Sequence, residues 1–157
     1  MNNHISNYFN LIPELVEKIN KTQINKAVDL LSSVKKRKGR IFLLGVGGSA
    51  GNCSHAVNDF RKICEIESYT PTDNVSELTA RINDDGWDSS YRNWLEISQL
   101  NSKDVLFIFS VGGGNQQKKV SVNLIKAIDY AKTKKSKILG IVGRDGGYTA
   151  KKGDAVI

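Results

Sequence analysis

The chain has 157 residues, 39% of them hydrophobic and 25% charged, with a formal net charge of +7. That length fits one domain with a core that needs no disulfide or metal staple. No apolar run approaches the ~18–20 residues of a membrane span. The opening stretch, residues 1–9, lacks the basic-then-apolar order of a signal peptide, and Cys53 and Cys64 make no disulfide framework, so a reducing cytoplasm is the expected compartment.

In chain order, Leu11, Ile12, Leu15, Val16 and Ile19 recur at helical spacing, as do Ile24, Ala27, Val28, Leu31 and Val34. They predict helices over about 8–20 and 23–37 that serve packing or oligomer surfaces. The period then changes. The apolar runs 41–46, 105–110 and 138–142 each end in glycines, as strands buried on both faces of a parallel sheet do. Residues 66–70 predict a short further strand, and Ala155–Ile157 begins another. Between them, residues 50–64 place Cys53, Val57, Phe60 and Cys64 on one helical stripe. Shorter helices are expected near 75–82 and 88–98, with Asn83-Asp84-Asp85-Gly86 as a turn. A further helix over 120–134 carries Val122, Ile125, Ile128 and Ala131 on one stripe. Strands alternating with helices predict an α/β fold, a doubly wound parallel sheet of about five strands flanked by helices. Residues 1–157 form a single domain in this reading, with N-terminal helices over 1–38 and the α/β core over 39–157.

Ligands of such sheets bind beyond the C-terminal strand ends, where three glycine-rich loops fall. Gly45-Val-Gly-Gly-Ser-Ala50 can offer backbone N–H groups and a helix N-terminus to an anion. It also fits the dinucleotide pattern G-x-G-x-x-A, with Glu65 at 20 residues past Gly45. Ser110-Val-Gly-Gly-Gly-Asn115 lacks the G-x-x-x-x-G-K-[ST] pattern of a P-loop. Two such loops point to a small ligand gripped from both sides, with a phosphate at one of them. The third, Gly143-Arg-Asp-Gly-Gly147, carries the charged residues Arg144 and Asp145. His55 and Asp59 lie four apart on one helix face, spaced to share a metal, act as an acid/base pair or bond on the surface. Cys53 and Cys64 read as core thiols. Asn83 and Asp84 are candidate contacts to sugar hydroxyls. The basic excess is concentrated between Lys118 and Lys152, with ten Lys/Arg against two acids. It reads as a solvated face, without a helix-turn-helix, zinc-finger or RRM pattern, so no nucleic-acid partner is expected.

The ordered set strand-GxGGS-helix, His-x-x-x-acid, Asn-Asp-x-Gly, strand-Ser-x-x-Gly-Gly-Asn and Gly-Arg-Asp-Gly-Gly resembles the sugar-isomerase (SIS) domain proteins and, among these, the phosphoheptose isomerases. The resemblance spans about residues 40–157. It implies a flavodoxin-like sheet, a homotetramer with sites at subunit interfaces, and ketose–aldose isomerisation of sedoheptulose 7-phosphate to D-glycero-D-manno-heptose 7-phosphate through an enediol, in heptose biosynthesis for lipopolysaccharide or capsule. Carried over, Gly47, Gly48 and Ser49 match the first loop, and Asn83 and Asp84 the sugar-contacting pair. Ser110, Gly112, Gly113 and Asn115 match the phosphate loop. His55 and Asp59 match the catalytic or zinc-ligating pair. Zinc is the implied cofactor, and no nucleotide cofactor is expected. The sequence departs from the family at Val46, where an asparagine is usual, at Asp59, where a glutamate is usual, and in the missing hydroxyls of the second loop. The family's further glutamine and histidine belong to a C-terminal helix, so a C-terminal segment is expected to be missing from this chain. Two other functions follow from the same loops: a non-catalytic SIS module binding a sugar phosphate or a protein, and a dinucleotide-binding domain.

Overall fold

A computed structural model describes residues 3–157. Five parallel strands form one sheet in the order β2-β1-β3-β4-β5: β1 Ile41–Leu44, β2 Ser68–Tyr69, β3 Val105–Ser110, β4 Lys137–Val142 and β5 Ala155–Val156. Among the described residues seven α-helices accompany them, α1 Asn3–Lys18, α2 Lys21–Lys36, α3 Gly48–Lys62, α4 Val75–Asp85, α5 Trp87–Ile97, α6 Val122–Thr133 and α7 Gly147–Lys152, with a short 3-10 helix at Pro71–Asp73. The doubly wound parallel sheet predicted from the apolar runs is therefore the observed one.

β1 is buried at all four positions because both faces of the sheet are covered. On one face Phe42, Leu44, Leu106 and Ile108 pack against Tyr91, Trp94 and Leu95 of α5 and Leu124, Ile128 and Ala131 of α6. On the other, Ile41, Leu43, Val105, Phe107 and Leu139 pack against Ala27 and Val34 of α2 and Cys53 and Val57 of α3. Burying a large aliphatic side chain is worth about 1.5–3 kcal/mol, so these two layers dominate the stability of the fold. Burial also pushes the Cys53 thiol up to about 12, against a smaller lowering effect of the Phe109 backbone, in keeping with a core thiol.

Several boundaries differ from the sequence reading. Residues 83–85, expected as a turn, complete α4, which stops at Gly86 in a conformation (φ 80°) open to glycine. Helix α1 begins at Asn3, ahead of the predicted 8, and buries none of its residues. Helix α7 was not foreseen: Tyr-Thr-Ala-Lys-Lys is too short to show a period. Helix α2 begins at Lys21, ahead of the predicted 23, because Asn20 caps it, its side chain accepting from the N–H groups of Thr22 and Gln23.

Candidate active site

The turn after β1 delivers Gly47, at φ 61°, as the cap of α3. Ser49, Asn52, His55, Ala56 and Asp59 follow at intervals of three and four, so they share one face of α3. That face looks across the C-terminal ends of β3 and β4, where Phe109, Ser110, Val111, Ile141, Val142 and Gly143 complete a cavity of about 630 Å³. This is the end of the sheet where doubly wound folds hold ligands.

Within the cavity His55 Nε2 lies 3.3 Å from Asp59 Oδ2. Asn58 Nδ2 donates to the other carboxylate oxygen at 3.2 Å. His55 is largely exposed and Asp59 half-exposed, with side-chain accessibilities of 79% and 46%, so both reach a ligand from solvent. The hydroxyl of Ser110 accepts from the Gly113 N–H at 3.0 Å, which curls the second glycine loop over the end of β3. Among the described residues no Lys or Arg lines this cavity. The basic excess of the chain lies elsewhere, and positive potential here comes from backbone N–H groups and the start of α3.

The second and third glycine loops interlock. The carbonyl of Gly113 accepts from both the N–H and the hydroxyl of Thr149, at 2.9 and 2.8 Å, and that of Gly114 accepts from the Tyr148 N–H at 2.8 Å. A Cβ on Gly113, at φ 64°, would be driven into the Gly146 carbonyl. Asp145 caps the turn by accepting from the Gly147 N–H.

The structure thus brings together Ser49, His55, Asp59 and Ser110. Gly47 and Gly48 form the turn that starts α3, and Gly112 and Gly113 belong to the loop held by Ser110. Asn83 and Asp84 do not line this cavity: they are exposed at the end of α4 and bonded to each other. Asn115 lines a separate recess with Gln116, Tyr148 and Lys151, its side chain accepting from the Lys118 N–H. Asn52 was missed, although its place between Ser49 and His55 on the α3 stripe would have found it. The wall formed by Phe109 and Ile141 was missed because both read as core strand residues.

The implied zinc and the alternative dinucleotide can each be compared with the donors present. A catalytic zinc takes three protein ligands, whereas His55 and Asp59 are two, and among the described residues no group of three His, Cys, Asp or Glu is gathered. The donor set does not fit a zinc ion. Glu65, the candidate ribose acid of a dinucleotide site, points to the surface and pairs with Lys35 at 3.3 Å.

The sheet order, the glycine turn opening α3 and the cavity at the strand ends define a class. The chain belongs to the SIS domain family, whose pattern matches residues 7–143. Relatives within it carry a more particular name. The chain is 29% identical over 154 residues to the phosphoheptose isomerase of Syntrophotalea carbinolica, covering 93% of this chain and 75% of that protein. It is 29% identical over 129 residues to the phosphoheptose isomerase of Helicobacter pylori, covering 79% of this chain and 64% of that protein. In structure it is similar to the phosphoheptose isomerase of Neisseria gonorrhoeae, with a TM-score of 0.84 at 25% identity, over 98% of this chain and 80% of that one. The chain therefore spans 64–80% of the length of these relatives. Among the described residues no helix is long and apolar enough to cross a membrane.

Proposed function

We propose that the chain is a ketose–aldose isomerase acting on a phosphorylated heptose, sedoheptulose 7-phosphate, in heptose biosynthesis. One observation carries the reading: an imidazole and a carboxylate stand 3.3 Å apart on the wall of a cavity whose rim is a glycine turn at a helix N-terminus. The relatives' names supply the substrate. Two unpaired thiols, Cys53 and Cys64, suit a reducing cytoplasm.

The chemistry follows from those groups. The Asp59 carboxylate removes a proton from C1 of the ketose while His55 donates a hydrogen bond to the C2 oxygen as it gains charge. The C1–H electron pair becomes the C1–C2 double bond of the enediol. His55 passes a proton between the two oxygens, and Asp59 returns its proton to C2, leaving the aldehyde at C1. Atoms and charge balance without an external reagent. The phosphate is held by backbone N–H groups of the 47–49 turn and of the 110–114 loop, with Ser49 and Ser110 beside them.

The assembly belongs to the same proposal. Helix α1 presents Ile5, Phe9, Ile12, Leu15 and Val16 to solvent, all at least 47% exposed. A contiguous apolar face of this kind marks a protein contact, and a homo-oligomer, a tetramer in this reading, covers it.

The test is solvent-proton exchange followed by NMR in D2O with sedoheptulose 7-phosphate. Wild type should wash in deuterium and form the aldose. Asp59→Asn should lose about 10²–10⁴-fold in rate, the usual worth of a positioned base. A folded wild type without exchange, or an undiminished Asp59→Asn, refutes the reading.

A further inference from the structure

Tyr91 lies on α5, across the sheet from α3, and is fully buried. Its hydroxyl donates to the carbonyl oxygen of Gly45 at 2.7 Å, linking residues 46 apart in the chain. Burial pushes its ionisation up to about 12, so it is a neutral donor at every physiological pH. Trp87 packs edge-on against its ring at 5.6 Å.

The accepting carbonyl stands at the point where β1 leaves the sheet for the first glycine turn. Gly45 is buried, and a buried carbonyl without a sheet partner needs a donor. The bond does more than satisfy it. The chain has no cis peptide among its described residues, and in a planar trans peptide the C=O and N–H point in opposite directions. Holding the Gly45 carbonyl toward α5 therefore turns the Val46 N–H away from α5, toward the face of the sheet that α3 covers. Among the described residues no acceptor takes that N–H. The Val46 side chain is apolar, so the N–H is the polar group this residue can offer a ligand. The plane has little room to rotate: a Cβ on Gly45 would sit 2.6 Å from the backbone of Ser49, so strand end and first helical turn are packed backbone against backbone.

We infer that Tyr91 is a positioning residue for ligand binding: its phenol fixes the Gly45–Val46 peptide so that the Val46 N–H donates to an oxygen of the phosphorylated ligand. The inference rests on the sugar-phosphate reading above and adds a residue on the far side of the sheet to it. At the position where the family usually carries an asparagine side chain, this chain supplies an oriented backbone donor.

The variant is Tyr91→Phe, which keeps the ring and removes the donor. The expected result is a rise of about tenfold in KM for sedoheptulose 7-phosphate, the size of one lost ligand hydrogen bond, with kcat within about twofold because the interaction is shared by ground and transition states. An unchanged KM in a folded Tyr91→Phe overturns the inference, because a purely packing role lowers stability without moving KM. Amide NMR of the wild-type protein decides the matter if the variant does not fold. On titration with sedoheptulose 7-phosphate the Val46 amide should shift among the most of all residues. A shift at Ser49 with none at Val46 overturns the inference and leaves the proposed function standing. A wild type that neither binds nor turns over the sugar phosphate overturns both.

Discussion

The contact between the second and third glycine loops can be broken at one atom. In Gly113→Ala the new methyl collides with the Gly146 carbonyl, and the residue must hold φ 64° with a side chain. The loops must separate to admit it. Separation costs the three bonds that Thr149 and Tyr148 make to Gly113 and Gly114. At ~1 kcal/mol net for each bond and ~1 kcal/mol for the left-handed conformation, the loss is about 4 kcal/mol. For a chain of this size ~1 kcal/mol moves Tm by ~2–4 °C, so Gly113→Ala should melt roughly 8–16 °C lower by circular dichroism. Gly112→Ala is the matched control. No atom lies within 4 Å of its Cβ position, so its melting point should stay within about 2 °C of wild type. Equal melting points for the two variants would refute the interlock.

Three further outcomes follow from particular contacts. Asp104 is buried and accepts from the Arg40 backbone N–H and guanidinium and from the Asn101 N–H; Asp104→Asn strands the arginine and should cost about 3 kcal/mol, read by urea unfolding. Burial works to raise the Asp154 carboxyl, but the bonds from Lys137 and the Ile138 N–H and the charge of Lys132 outweigh it and hold the group below its ordinary 3.8. Its stabilisation is therefore present above that value and lost as pH falls through the lower folded value, so Asp154→Asn should flatten the acid limb of a melting-temperature profile below pH ~4. Ile12→Glu with Leu15→Glu should convert the proposed oligomer to monomer in light scattering while the circular dichroism of the sheet domain persists.

β1, β3 and β4 were legible because each is a continuous apolar run that ends in glycines, as a parallel sheet covered on both faces demands; β2, Ser68–Tyr69, carries no such run. Helix ends were less so. Asn83, Asp84 and Asp85 favour turns by their side-chain chemistry, yet they continue α4 because the chain is stopped one residue later by Gly86. In the site, His55 and Asp59 could be paired from spacing, since a helix fixes which side chains share a face. Nothing comparable fixes how loops meet: Asn115 was assigned to the ligand by its match to the family's phosphate loop, and its side chain accepts from the Lys118 N–H in a local turn. The cavity's apolar wall was hidden for a different reason. Phe109 and Ile141 obey the strand pattern that buries their neighbours and emerge only because the strands run past the helices that cover them.

Helix α1 has a temporal consequence. It is made before the sheet, and its apolar face finds no cover among the described residues. The five-stranded sheet, by contrast, cannot be completed until β5 is available to pair with β4. At ~5–20 residues per second of synthesis, the 137 positions between Lys18 and Ala155 take about 7–27 s to follow. Throughout that interval the growing chain carries an exposed amphipathic helix, so neighbouring chains on one message could dock through α1 before either sheet has closed.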